Sequence, residues 1–599
     1  MRRAHYLKGN SRVELPQHMI FVDTETKGVE INETREEHRL WFGYGCHIRI
    51  RGKTDNGRSP EDWLRFTEAD DFWEWVDVKS LARTRLWVFA HNWNFDAGIL
   101  NVSVALPSLG WELVRYINEK PPFILEFRKG NRTLRLTDTL NYFAGSLASI
   151  GESIGVPKLK FPSVGDSQHV WDTYGKRDVV VIKEAVLALR RFVETHQLGN
   201  FQPTLAAQAF NAYRHRFMDS QILIHNYSED NQLEREGYFG GRTECFYLGE
   251  VKEKLYYLDI NSMYPHVMKK YRYPTRHWRA RNNVTFQQLY EYRENHALVV
   301  YCRINTDVPC YPVRIDHRLC FPVGRMDTVL NTPELDYALA HGHIEKIHRV
   351  IIYEHGKLFE RYVDFFYNLR QQYKADGNET FQYLCKIILN SLYGKFGQSG
   401  QKWKDIGPVD DPFEGIMYEQ ETEDSPIQKL RCRMGMLQEF ERHGESENSF
   451  PAIAAHVTAY GRMMLWNLMQ KAGRENVYYC DTDSIIVSEA GYKALVEDLD
   501  VSALGKLKME DVSNKTNFWG AKDYHFADSI KHKGIKKNAR QLAENRWEQE
   551  KWVSWDYLIS QGHDGYIPIE TVQKTLHRIY KKGTTTDSGW VKPLIVGVD

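Results

Sequence analysis

"YYCDTDSIIV", residues 478–487, sets two aspartates two positions apart between two apolar runs. The runs read as the arms of a buried β-hairpin, with Asp481 and Asp483 at its tip. Two like charges about 4 Å apart at an effective dielectric near 20 repel by roughly 4 kcal/mol. A fold keeps such a pair when a cation lies between them, so the stretch reads as half of a metal site.

The other half lies upstream. "KLYYLDINSMYPHVM" (254–268) is an apolar strand that ends at Asp259 and runs into Ser262, Tyr264 and Pro265. Between the two carboxylate segments lie two amphipathic helices, "LFERYVDFFYNLRQQYK" (358–374) and "TFQYLCKIILNSLYGKFG" (380–397). A turn with Gly377 and a capping Asn378 joins them. Lys386, Asn390 and Tyr393 share one face of the second helix, and Arg370 and Lys374 are four apart on the first. A solvated charge face accounts for Arg370 and Lys374 taken alone. Lys386 is expected to be crowded by apolar neighbours on both sides, and a lysine so placed calls for an anion; a nucleotide triphosphate would serve. Asp259, Asp481 and Asp483 could then converge on two Mg²⁺ ions, with Mn²⁺ as a substitute.

A second carboxylate set occupies the N-terminal third. "HMIFVDTETKG" (18–28) is a strand running into Asp23 and Glu25 on one face, and "RLWVFAHNWNFDAGIL" (85–100) repeats the form with Asp96. "YGKRDVVVIKEAVLALRRFV" (174–193) is a helix with Tyr174 and Asp178 on one face. Each aspartate alone reads as a turn or capping residue. Together they are the inventory for two hard cations gripping a phosphate, with water as the nucleophile.

Composition bounds the rest. The 599 residues exceed one core, 42% are hydrophobic and 13% aromatic, and 79 basic residues balance 79 acidic ones. Any nucleic-acid surface must therefore be local, and "KHKGIKKNAR" (531–540), with five Lys/Arg and no acid, is the candidate. The eight cysteines form no CxxC pair, which argues against a zinc ribbon or disulfide scaffold and fits a reducing compartment. No signal peptide, membrane-length apolar run, repeat or low-complexity tract is evident, so a soluble, cytoplasmic protein with no membrane partner is expected.

"DTET", "NWNFD" and "YGKRD" resemble the three motifs of the DEDDy class of 3′–5′ exonucleases, and "DINSMYP", "KIILNSLYG" and "YCDTDS" resemble motifs A, B and C of family-B DNA polymerases, in the right order. The first resemblance implies metal binding by Asp23, Glu25, Asp96 and Asp178, and a water-orienting Tyr174. It implies single-strand contacts by Thr26, Asn92, Phe95 and, in "DTLNYF", Thr139 and Leu140. Lys160 in "LKFPSV" is its candidate for the lysine that assists cleavage, at an altered spacing. The second resemblance implies Asp259 and Asp483 as metal ligands beside Asp481, and triphosphate binding by Lys386, Lys374 and Arg370. Ser262 and Asn390 would shape the nucleotide pocket, Tyr264 would exclude a 2′-hydroxyl, and Tyr393 with Gly394 would line the nascent base pair. DNA contacts are implied for Tyr238, Gly240 and Gly241 of "YFGG", where Phe239 replaces a residue that is often basic. They are implied too for Thr458 and Arg462 of "TAYGR", Lys522 and Tyr524 of "KDY", and Lys533 and Lys536.

The resemblance implies an α/β multidomain fold, an RNase H-like exonuclease domain followed by a right-hand polymerase with two palm insertions. The expected boundaries are exonuclease 1–195, palm 196–267 and 451–554, fingers 357–397, thumb 555–599, and insertions 268–356 and 398–450. The second insertion is read from turn signals in "GPVDDPFEG" (407–415) and "HGESENS" (443–449). Two insertions so placed resemble the terminal-protein regions of protein-primed polymerases of small phages and linear plasmids. That implies a monomer acting on template–primer DNA and dNTPs with a terminal protein as primer, a proofreading exonuclease, and strand displacement. The rival readings are a family-B polymerase using nucleic-acid primers or none, and an inactive replication scaffold.

Overall fold

The computed structural model describes residues 2–50, 60–119, 121–400, 403–409, 415–420, 425, 427–440 and 445–597. Parts of "GPVDDPFEG" and "HGESENS" lie outside the described residues.

The apolar run at 18–22 is buried along its whole length, which is the pattern of a strand covered on both faces. His18–Asn32 pairs in parallel with Arg85–Ala90 and antiparallel with Arg35–Arg49, inside a ten-stranded sheet. The long helix Gln168–Thr195 covers one face, packing Val179, Ile182 and Val186 with Met19, Phe21 and Phe89. Ile20, Val22, Leu86 and Val88 point to the opposite face.

That opposite core is closed by distant sequence. Trp555, Leu558, Ile559 and Ile567 are buried in it, and Ile567–Thr575 extends the same sheet by pairing with Arg35–Arg49. Ile567–Thr575 is also the antiparallel partner of Arg546–Trp552. The boundary expected at 554/555 therefore falls inside a β-hairpin, and the segment after it belongs in part to the N-terminal core. Trp555 hides this in the sequence, because an isolated apolar residue near a chain end does not announce its partner.

The second module is built on a five-stranded sheet in the order Thr243–Cys245, Val477–Asp481, Ser484–Ser488, Leu255–Ile260, Leu507–Ser513. The hairpin read from 478–487 is its centre, with Tyr479, Cys480, Ile485 and Ile486 buried. Helix Pro451–Ala472 lies behind it, sharing Leu465, Trp466 and Met469 with Leu258 and Cys480. The two expected helices form as Glu360–Ala375 and Glu379–Phe396. Gly377 takes the left-handed turn position (φ 68°), and the Asn378 side chain accepts from the Phe381 amide at 3.0 Å.

Residues 268–356 form most of a seven-stranded sheet, which His5–Tyr6, Leu223–Ile224 and Ile595–Val596 complete from elsewhere in the chain. Residues 403–440 supply a separate four-stranded antiparallel sheet. No described helix is long and apolar enough to cross a membrane.

Candidate active sites

In the second module, strand register brings three carboxylates to one sheet edge. Asp259 lies opposite Ser484, and Ser484 is also the partner of Asp481 across the hairpin. The turn between the aspartates is pinned by its backbone: Asp483 N donates to Asp481 O, and Ile260 N donates to Asp483 O, each at 2.7 Å. Thr482 holds a left-handed conformation (φ 60°), and its amide donates to Arg242 O at 2.7 Å. A Cβ on Gly241 would sit 2.7 Å from the Thr482 side chain, so the "YFGG" segment needs glycine to reach the turn.

The carboxylates differ in surroundings. Asp481 accepts from Thr243 Oγ1 at 2.8 Å and faces Lys522 Nζ at 3.7 Å. Asp259 and Asp483 face each other's charge instead. Burial, then Asp483 and Glu510, pushes Asp259 up to about 7 against the pull of Lys386. Burial, with Asp481 adding to it, also raises Asp483, and Lys386 opposes the shift. Asp259 and Asp483 are thus the pair that a cation would relieve, with Asp481 held by a hydroxyl and a lysine.

Beside them, Arg370 Nη1 donates to Ser262 Oγ at 2.6 Å, and Ser262 takes φ 51° at the start of helix Met263–Lys270. Arg370 and Lys386 also line a cavity of about 360 Å³ between the helical hairpin and Phe143, Ala144, Ser149 and Ser153 of the first module, away from the three aspartates. Contrary to expectation, Lys386 is not crowded by apolar groups; it is exposed toward the cleft, because Cys385, Ile388 and Leu389 turn to the core. Lys374 is exposed and Asn390 half-buried on the same helical hairpin. The Tyr264 and Tyr393 rings pack at 4.9 Å. A Cβ on Gly461 would lie 3.0 Å from the Tyr264 ring, whereas one on Gly394 would meet no atom within 4 Å beyond its own stretch of helix.

In the first module, Asp23, Glu25 and Asp178 bring ligand atoms within 4.8 Å of one another. Burial, then Asp178, pushes Glu25 up to about 7. Burial, then Asp178, Asp96 and Glu25, holds Asp23 well above the carboxylate range. Asp178 Oδ1 is buried with no hydrogen-bond partner. An orphaned carboxylate oxygen aimed at two other acids fits a hard divalent cation. Asp96 stands outside that group: its Oδ1 accepts from Thr24 Oγ1 at 2.7 Å, and burial pushes it up to about 7. Asp138, not singled out in the sequence, accepts from the Asn92, Trp93 and Leu140 amides at 2.8–2.9 Å, so it joins the Asn92 and Thr139–Leu140 segments.

Lysine placement also differs from the sequence reading. Lys160 is exposed, and Lys158 reaches the site, 2.5 Å from Asp178 Oδ2 and 4.8 Å over the Tyr174 ring. Burial works against the Lys158 charge, but Asp178 and Tyr174 outweigh it and raise its pKa. Thr26 pairs with His38 Nδ1 at 3.0 Å, and Phe95 packs on Trp552.

Four expected DNA contacts turn inward. Thr139 is buried, with its hydroxyl 2.9 Å from His91 Nδ1. Thr458 is buried and bonds back to Ala455 O at 3.1 Å within its own helix. Arg462 is buried against Glu334 at 2.7 Å and donates to the Phe239 and Gly240 carbonyls at 2.6 and 2.9 Å. Arg462 therefore braces the "YFGG" segment, where Gly240 is exposed and Tyr238 half-buried. Tyr524 packs in a core with Tyr479 and Phe518. Lys522 (62% exposed), Lys533 and Lys536 do face solvent.

Residues 165–407 match the family described as DNA polymerase type B, organellar and viral. A probable DNA polymerase of Neurospora intermedia is 25% identical over 54% of this chain and 34% of its own length. The DNA-directed DNA polymerase of Enterobacteria phage PRD1 is 29% identical over 48% of this chain and 49% of its own. The chain thus aligns with a third to a half of those relatives' length. The solved structure of Phi29 DNA polymerase with primer-template DNA and incoming nucleotide superposes with a TM-score of 0.65, at 16% identity, covering 94% of this chain and all of that one. The fold is the expected one: an exonuclease-type module followed by a right-hand polymerase module. Over residues 165–407 the chain is thus similar to the organellar and viral type-B DNA polymerases, and its fold is that of the Phi29 structure.

The raised Asp259 gives a signed prediction. Its charge is penalised in the folded state, so that penalty is fully present above pH 7, shrinks below it, and vanishes under the ordinary value near 4. In metal-free buffer, Asp259→Asn should be more stable than the unsubstituted protein at pH 8 by about 1–3 kcal/mol. Chemical denaturation should show that gap closing toward pH 4; no gap at pH 8 contradicts the electrostatics.

Proposed function

We propose that the chain is a DNA-directed DNA polymerase with a 3′–5′ proofreading exonuclease, replicating a linear genome from a terminal-protein primer with strand displacement. The observation that carries this reading is the presence of two separate carboxylate centres on one family-B fold, each with its own lysine: Asp259 and Asp483 with Lys386, and Asp23, Glu25 and Asp178 with Lys158.

In the polymerase centre, Asp259 and Asp483 would hold Mg²⁺, which would activate a primer hydroxyl and neutralise the triphosphate. Lys386 and Arg370, whose charges act on Asp259, would offer fixed positive charge to a triphosphate. Tyr264 backs on Gly461 and Tyr393, so its ring is held in place to exclude a 2′-hydroxyl. Lys522, beside Asp481, is placed to hold the primer strand. In the exonuclease centre, Asp23, Glu25 and Asp178 would hold the metal, Tyr174 would orient water, and Lys158 would steady the scissile phosphate. The exposed basic run 531–540 would track duplex phosphates.

The domain map follows, with residues 268–356 and the sheet of 403–440 as the regions that meet the terminal protein and enclose the template. The thumb begins before residue 555, since its hairpin starts at Arg546. The protein would act as a soluble monomer in the cytoplasm of the host cell.

Asp483→Ala should abolish nucleotide incorporation and leave single-strand degradation intact, and Asp23→Ala with Asp178→Ala should do the reverse. Equal loss of both activities in either variant sinks the two-centre reading. Protein priming is tested by incubating the enzyme with a candidate terminal protein, labelled dNTP and Mg²⁺. Label should become covalently attached to the protein; extension of annealed oligonucleotides alone would rule protein priming out.

A further inference from the structure

The exonuclease-type module carries an aromatic wall that none of the roles above uses. Strand pairing slips beside the carboxylates: Glu25 lies opposite Phe42, and Thr26 opposite Leu40. Trp41 is therefore the extra residue of a β-bulge, a device that re-aims a side chain next to a site. It packs edge-on against Trp171 (centroids 5.0 Å), Trp171 against Phe161 (5.3 Å), and Phe161 against Tyr174 (5.5 Å). The chain of rings thus ends on the tyrosine that contacts Lys158.

Packing does not explain the wall. Trp41, Phe161 and Trp171 belong to none of the apolar cores formed by the described residues. Phe161 is 64% exposed, and both tryptophans are partly exposed. A cation stands at each end: Lys27 Nζ lies 4.2 Å over the Trp41 ring, and Lys158 Nζ 4.8 Å over that of Tyr174. Rings flanked by a lysine at each end, beside a carboxylate group, suit a strand with unstacked bases and a charged backbone. Phe95 lies apart, packed on Trp552 and near His38, so this is a separate surface from the Asn92–Phe95 segment.

We propose that Trp41, Trp171 and Phe161 form a stacking platform for unpaired bases of single-stranded DNA flanking the phosphate to be cleaved. Lys27 and Lys158 would lie along its backbone. The proposal rests on the exonuclease reading above. The platform would be tolerant of base identity, since every base has a π-face. These are positioning residues: they would hold the strand and leave the chemistry to the carboxylates.

The test uses the full chain. Binding of a fluorescent oligo-dT is measured by anisotropy with Mg²⁺ in an Asp23→Ala, Asp178→Ala background, which prevents cleavage. Adding Phe161→Ala or Trp171→Ala should weaken binding about tenfold, and Phe161→Tyr should restore it. In the otherwise unsubstituted enzyme, Phe161→Ala should raise KM for degradation and leave kcat nearly unchanged, with an unchanged Tm as the folding control. If the unsubstituted enzyme degrades single strands but the variants bind as tightly, or if kcat falls with binding unchanged, the platform is wrong. If the unsubstituted enzyme neither binds nor degrades single strands, the exonuclease reading itself fails.

Discussion

Carboxylates held against one another's charge are the constraint on which both halves of this molecule depend. Asp23 and Glu25 lie where strand His18–Asn32 leaves its buried run, Asp259 near the end of strand Leu255–Ile260, and Asp178 in the third turn of helix Gln168–Thr195. Relaxing the repulsion would require the strands to slip, and a one-residue slip turns every buried side chain to the wrong face. The hydrophobic register therefore holds the acids in place. Burial first and repulsion second push Glu25 and Asp259 up to about 7, a penalty that a cation would relieve.

The two centres handle their third and fourth acids in the same way. Asp481 is satisfied by Thr243 and approached by Lys522, and Asp96 by Thr24. Each site thus pairs a tight group that needs a cation with an acid that already has a protein donor.

Much of this was legible in the sequence. The two carboxylate sets, the helical hairpin and the strand–turn–strand at 478–487 are local patterns, and locality is what periodicity and spacing record. What escaped depends on contacts between distant residues. Lys158 and Lys160 alternate along an extended loop, and only the loop's path decides which reaches Asp178. Arg462 and Thr458 sit in a motif that resembles a primer contact, yet Glu334 in the inserted sheet draws Arg462 inward. Trp555 closes the N-terminal core from a position more than four hundred residues away from it in sequence, and no composition shift marks this. Asp138 and Arg242 organise backbone amides and carbonyls, a role any buried polar residue could fill.

The same long-range wiring makes the modules interdependent. The C-terminal hairpin continues the exonuclease-type sheet, and Ile595–Val596 extends the sheet of the first insertion. Yet the two acid centres share no ligand, so the account requires their metal sites to be independent. Titration of Mn²⁺, followed through the EPR signal of the free ion, tests this most directly. The account predicts two groups of sites in the unsubstituted protein. Asp23→Ala with Asp178→Ala should remove one group, and Asp259→Ala with Asp483→Ala the other. Loss of all binding from either pair of substitutions, or no loss from either, would contradict it.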